Sequence, residues 1–282
     1  MFHLCCICTA LPSYKTITFK SWSADPNEKR LIAIYQHNFR VLRQTMDYCA
    51  QRGWGLRISS SLMPLSTHPK VKFRWNHPEV MPFIRACKPN IRVSMHPGQF
   101  NVLESNDPVT VENTVAELNW HGWLLDQLDC PRSRQNPINL HIHTGKGDFY
   151  DLSGRFIRGF LRLDESVKSR LTLENNDKGG MWNCQTLLQF RELAMEYTGN
   201  IPLCYDNLHD RLFPSDLSPQ ECFERFYVTW GDITPIFHHS EADSGNHHAD
   251  YPTFKPLDYG RAVDWDVELK AKEKAIQKLE TL

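Results

Sequence analysis

Short apolar runs alternate with longer amphipathic stretches along this chain. Eight runs read as strands: residues 2–8, 55–59, 91–95, 137–142, 171–173, 201–205, 233–237 and 265–269. Several of the segments between them carry helical patterns. Residues 27–52 place Leu31, Ile34, Tyr35, Phe39, Leu42 and Met46 at the spacing of one helix face. Asp107 stands as an N-cap before Pro108 at a first helical position, opening a helix that runs to about residue 128. A third helix covers 182–197, and the charged tail from Lys270 reads as a last one. Strand–helix alternation of this kind predicts βα units around a parallel sheet. Eight such units predict an α/β fold, a single TIM-type (β/α)8 barrel in which residues 1–282 form one domain.

Length and composition agree with that expectation. The chain has 282 residues, against about 250 for a typical barrel of this class. Apolar residues make up 41%, enough for a sizeable core. No internal repeat or low-complexity tract breaks the pattern. No run approaches the roughly 20 apolar residues of a membrane span, so no membrane association is expected. Residues 4–11 are apolar, but no lysine or arginine precedes them, so they are read as a strand and not as a signal peptide. Nine cysteines, an odd number, fit free thiols in a reducing cytoplasm better than a secreted disulfide framework. The net charge of -1 argues against a broadly basic nucleic-acid surface. Bound divalent ions would add positive charge that this formula omits, so a nucleic-acid substrate stays open.

The chemistry lies at the ends of the runs. His96 comes directly after the third run, and His141 and His143 end the fourth. Glu174 comes after the fifth, Asp206 and His209 after the sixth, and His238 and His239 after the seventh. Glu268 lies in the eighth, while His68, His247 and His248 sit in loops after the second and seventh. In a (β/α)8 barrel all C-terminal strand ends converge on one face, so these residues become neighbours. Imidazoles with carboxylates suit Zn, Mn or Fe, and a carboxylate can bridge two ions. Sites of this kind hydrolyse phosphoesters in line. Taken singly, each residue is more often structural. His141 and His143 face the same side of one strand, so one can be a ligand while the other supports it. Glu174, Asp206 and Glu268 would repel one another unless cations or basic partners offset them.

Several segments also resemble the UV damage endonuclease family. Ser94-Met95-His96-Pro97-Gly98-Gln99-Phe100 resembles its SMHPGQ segment. Arg57-Ile58-Ser59-Ser60, Pro64 and Thr67-His68-Pro69 resemble its RISS…P…SHP stretch. Leu173-Glu174-Asn175-Asn176-Asp177 is similar to its LEND motif, and Asp206-Asn207-Leu208-His209 to its D-x-x-H. His248-Ala249-Asp250-Tyr251, residues 266–274 and residues 15–20 are family-like as well. The ordered set covers nearly the whole chain.

The resemblance implies a barrel with two to three divalent ions, usually Mn2+, with Zn2+ or Mg2+ as alternatives. It implies nicking of damaged double-stranded DNA immediately 5′ of UV photoproducts and some other lesions. The implied metal ligands are His96, His143, Glu174, Asp206, His209, His238, His248 and Glu268, with Glu174 bridging. Glu174, His238 and Glu268 are the implied catalytic residues, and Gln99, Phe100, His68, Cys6 and Asn175 the implied substrate contacts. A monomer is the family expectation, acting in the cytoplasm, or in the nucleus of a eukaryote.

The chain also departs from the family. Cys6 stands where the family usually has a tyrosine in the first strand, Phe100 where it commonly has tyrosine, and Ile236 where it often has lysine. Thr144-Gly145-Lys146 replaces a Gly-Gly run after His143. Three other readings stay open at this point. They are an abasic-site endonuclease of the endonuclease IV kind, a sugar isomerase or epimerase on the same barrel, and a catalytically silent damage-binding protein.

Overall fold

The computed structural model describes residues 1–142, 147–178, 180–243 and 247–282. Eight parallel strands form one sheet: β1 (Phe2–Cys6), β2 (Gly55–Ile58), β3 (Val93–Met95), β4 (Ile138–His141), β5 (Leu171–Glu174), β6 (Leu203–Cys204), β7 (Ile236–His239) and β8 (Asp264–Val267). Their order is β6-β5-β4-β3-β2-β1-β8-β7. The remaining seam, between β6 and β7, is closed by a parallel bridge between Asp206 and His238. There the His238 amide donates to the Tyr205 carbonyl at 2.9 Å. The result is the expected TIM-type (β/α)8 barrel.

Ten helices lie in the described residues: α1 (Phe19–Ala24), α2 (Glu28–Ala50), α3 (Met81–Arg85), α4 (Pro108–Gln127), α5 (Phe149–Leu161), α6 (Glu165–Lys168), α7 (Cys184–Thr198), α8 (Asn207–Leu212), α9 (Pro219–Tyr227) and α10 (Glu273–Thr281). The Asp107 carboxylate accepts from the Val109 and Thr110 amides and caps α4, with Pro108 at its first position. In α2 the buried face includes Leu31, Ile34, Tyr35, Phe39, Leu42 and Met46, the stripe expected from spacing.

Side chains alternate along each strand, so one set faces the helices and the other the barrel axis. The outward set is apolar: Leu4, Leu56, Val93, Met95, Leu140, Leu173, Phe237 and Val267 are all buried. The inward set is mostly polar. It includes His3, Arg57, Ser94, Asn139, Thr172, Glu174, His238 and Asp266, all buried. The apolar core therefore sits between sheet and helices, and the axis is lined by hydrogen-bonding groups. Gly55 shows how tightly that interior is filled. A β-carbon there would fall 2.2 Å from the His3 ring, which occupies the space instead.

The strands are mostly shorter than the apolar runs, β3 starting at Val93 and β6 spanning only Leu203–Cys204, and at three of them the difference has a clear cause or consequence. β1 stops at Cys6, whose φ of 70° turns the chain out of the sheet. β7 starts at residue 236 and not 233, because Pro235 has no amide to donate to a ladder. Ile233 belongs to the preceding turn, where its amide reaches the Trp230 carbonyl. β8 ends at Val267, which leaves Glu268 as the first residue beyond it.

Candidate metal centre at the barrel mouth

Glu174 ends β5 and points along the axis, fully buried. Four imidazoles surround its carboxylate. His96 Nε2 lies 3.2 Å and His141 Nε2 3.3 Å from Oε2, and His238 Nδ1 lies 3.1 Å from the same oxygen. His209 Nδ1 lies 3.1 Å from Oε1. The Asn139 amide donates to Oε2 at 2.5 Å, and Asn139 is held in turn by the Thr172 hydroxyl at 2.9 Å.

The other carboxylates complete the cluster. Asp206 caps α8: its Oδ1 accepts from the Leu208 and His209 amides at 2.7 and 2.8 Å. That cap fixes where the first turn of α8 presents His209. Its Oδ2 accepts from the Ser240 hydroxyl at 3.1 Å and lies 4.0 Å from His238 Nδ1. Glu268 Oε1 lies 3.2 Å from His238 Nδ1, and the same carboxylate is paired with the Arg57 guanidinium. His248 stands at the rim, its Nδ1 2.6 Å from the Glu268 carbonyl oxygen.

These groups set one another's charge. Burial acts to raise the Glu174 carboxyl, but His141, His238 and His209 outweigh it and hold the group well below the carboxylate range. Burial likewise opposes ionisation of Glu268, while Arg57 and His238 pull it down. Asp206 differs: burial, with Glu174 and Glu268 close by, pushes it up against the pull of His209. Burial disfavours a charged His209, yet Asp206 and Glu174 raise its imidazole to about 10. Imidazolium protons and the Arg57 guanidinium thus balance the carboxylates of the cluster.

Five sets of three ligand-type residues lie close enough to hold an ion among the described residues, and four of them share the mouth. They are His96–His141–Glu174, Glu174–Asp206–His209, Asp206–His238–Glu268 and Glu174–Cys204–His238. Among the described residues, buried Glu174 Oε1 and His238 Nδ1 lie close to charged neighbours but make no well-aligned hydrogen bond. Nitrogen and oxygen donors left unsatisfied in this way suit divalent cations.

Most of the expected residues meet here: His96, Glu174, Asp206, His209, His238 and Glu268, with His248 at the rim. His143 lies outside the described residues. The family resemblance favours His143 over His141 at the end of β4, yet the His141 ring touches Glu174 and is oriented by Asn176 Oδ1 at 2.9 Å. Three further residues of the cluster receive no site role from the sequence alone. Arg57 and Asp266 lie on inner faces of strands, and Cys204 sits beside Glu174 in register on the next strand, close to His238. Only alternation within correctly bounded strands could flag them.

The mouth opens into a cavity of about 540 Å³ whose wall includes Cys6, Arg57, Gln99, Phe100 and Lys178. Phe100 is 83% exposed and also borders a second cavity of about 510 Å³, which contains His68. His68 stands off from the cluster and stacks on Phe19, with ring centroids 4.1 Å apart. Asn175 is buried and does not line the mouth. Its side chain pairs with the Asp206 backbone in both directions, at 2.9 and 3.1 Å.

The family profile described as UV-endonuclease UvdE matches residues 3–281. The chain belongs to the UV-endonuclease family. Among its relatives, the UV DNA damage endonuclease of Bacillus pumilus is 28% identical over 94% of this chain and 87% of its own length. That of Bacillus velezensis is 28% identical over 97% and 89%. The crystal structure of SacUVDE superposes with a TM-score of 0.82 at 25% identity, covering 99% of this chain and 98% of that one. Endonuclease IV from Thermus thermophilus shares the fold alone, with a TM-score of 0.58 at 15% identity over 86% of this chain and 93% of its own.

Proposed function

We propose that this member of the UV-endonuclease family is a divalent-metal-dependent DNA-repair nuclease that nicks immediately 5′ of UV photoproducts. The observation that carries the reading is Glu174, a buried carboxylate ringed by four imidazole nitrogens at 3.1–3.3 Å. His96, His141, His143, Asp206, His209, His238, His248 and Glu268 would join Glu174 in holding two to three ions, with Mn2+ the family's usual choice. Bound there, the ions supply Lewis acidity, making water more acidic and offsetting charge on the reacting phosphate.

The protein's own groups prepare the centre. Asn139 and Asn176 fix Glu174 and His141, and Arg57 holds Glu268 toward the axis. Supporting partners of this sort commonly change metal affinity or activity ten- to a hundredfold when removed, as an order of magnitude. Metal ions bound there would take over from the imidazolium protons in offsetting Glu174, Asp206 and Glu268 as a phosphodiester approaches. Gln99 and Phe100 stand at the edge of the mouth, where an exposed ring can stack on a displaced base. Cys6 lines the same cavity, and His68 the neighbouring one, as further substrate contacts. Asn175 acts through Asp206 and not on the DNA. The active species is a monomer of one barrel domain, working wherever the cell's DNA lies.

Glu174→Ala tests this reading. Loss of a shared ligand should cost several kcal/mol of transition-state stabilisation, so nicking of a photoproduct duplex should fall on the order of a thousandfold. Activity within a few fold of wild type, at saturating metal, would refute the shared-ligand role.

A further inference from the structure

A second ligand-type cluster lies outside the barrel axis. Cys184 opens α7, Asp210 lies in α8 and Cys222 in α9, and all three are buried. Their ligand atoms lie within 4.8 Å of one another. Asp210 Oδ1 is 3.5 Å from Cys184 Sγ and 3.7 Å from Cys222 Sγ. Its Oδ2 accepts from the Tyr205 hydroxyl at 3.0 Å. The Ser215 hydroxyl lies 3.6 Å from Cys222 Sγ.

We propose that Cys184, Cys222 and Asp210 form a separate metal site for a thiophilic divalent cation of the zinc class. Two observations carry it. The first is spacing. Zinc bonds of about 2.3 Å to sulfur and about 2.0–2.2 Å to oxygen, in a tetrahedron, hold sulfur and oxygen about 3.5 Å apart. Both sulfurs already stand at that separation from Asp210. The second is charge. Among the described residues no lysine or arginine pairs with Asp210, whose side-chain contacts are one hydroxyl and two weak thiol donors. A cation there would compensate the carboxylate as thiols alone do not, and the two thiol protons would leave to solvent on binding. Ser215 or water can complete the tetrahedron. The way in is a cavity of about 510 Å³ whose wall includes Tyr205, Asp210, Pro214 and Phe254.

The consequence is mechanical. Such an ion ties α7 and α9 to α8, the helix that Asp206 caps and that carries His209 into the mouth. The site is therefore structural. It does not depend on what the mouth cleaves.

Cobalt spectroscopy on the full chain tests this. Metal-stripped wild-type protein is titrated with Co2+ and scanned for thiolate-to-cobalt charge-transfer absorption. Nitrogen and oxygen ligands of the mouth do not produce that band, and the thiols that line its cavity or stand at ligand distance in its cluster, Cys6 and Cys204, are controlled separately. The band is expected in wild type, lost in Cys184→Ser/Cys222→Ser, and retained in Cys6→Ala/Cys204→Ala. Absence of the band in wild type overturns the proposal. So does its survival in the first double variant or its loss in the second. If the first variant fails to fold, wild type and Cys6→Ala/Cys204→Ala decide alone.

Discussion

At the scale of single residues, the mouth combines closely held ligand-type side chains with one conspicuously free ring. Glu174 makes contacts on both oxygens, whereas Phe100 leaves most of its ring in solvent between two cavities. A ring placed there has no packing role to lose, so its removal should act on substrate and not on stability. Stacking on a base contributes roughly 1–3 kcal/mol. Phe100→Ala should therefore weaken binding of lesion duplex about tenfold or more, with an unchanged melting temperature. Phe100→Tyr should keep the affinity. Binding titrations and thermal melts check both, and an unaltered affinity in the alanine variant would remove Phe100 from lesion contact. Much of the centre is legible in the sequence because ligand-type residues stand at the ends of apolar runs. His96, Glu174, Asp206, His209, His238 and Glu268 all meet on that logic. The logic falters where two candidates are two residues apart, as with His141 and His143, since both face the same way. It is silent on Arg57 and Asp266, whose types suggest a solvated surface until their strands are known to face the axis.

At the scale of elements, strand alternation explains both the fold and the site. Every second residue of a strand turns inward, and those residues are mostly polar. The polar axis fixes neighbours closely: His3 Nδ1 lies 3.0 Å from Asp266 Oδ1, and Arg92 pairs with Asp264 at 2.7 Å. Burial opposes a charged His3, but Asp264 and Asp266 together raise it above its ordinary value. Gly55 is the space that lets this ring fit. Gly55→Ala should force His3 aside and destabilise the protein by about 1–3 kcal/mol, as overpacking typically does. Denaturant melts read that loss, and a neutral result would mean that His3 relocates freely. Helix α2 and the Asp107–Pro108 start of α4 are readable because periodicity and capping are local. The short helices α6 and α8 are not, since four to six residues carry too little period. The start of β7 slips because an apolar Ile233 belongs to a turn, where packing and not strand pairing partly covers it.

At the scale of the whole molecule, the closing seam and the chemistry coincide. Asp206 and His238 form the bridge that joins β6 to β7, and both belong to the cluster. Stability and metal binding are therefore linked. His209 sits at about 10 in the metal-free fold, above its unfolded value of about 6.5. Its contribution is present below about pH 6.5 and is lost as pH rises through about 10. Metal-free protein should accordingly melt at progressively lower temperature from neutral pH upward. Under the proposed function His209 and His238 hold metal without those protons, so affinity should rise over the same range and Mn2+ should raise the melting point most at alkaline pH. Scanning calorimetry with and without Mn2+ from about pH 6 to about 10 would show it. A metal-free melting point that climbs with pH would contradict the charge balance described for the mouth.

The central claim, that this mouth is a metal centre for cutting damaged DNA, is tested most directly by one assay. An end-labelled duplex with a single defined pyrimidine dimer is incubated with metal-stripped protein, then with Mn2+ added. The account predicts one cut immediately 5′ of the dimer that appears only with the metal. A cut of equal extent without metal, or no cut with Mn2+, Zn2+ or Mg2+, would contradict it.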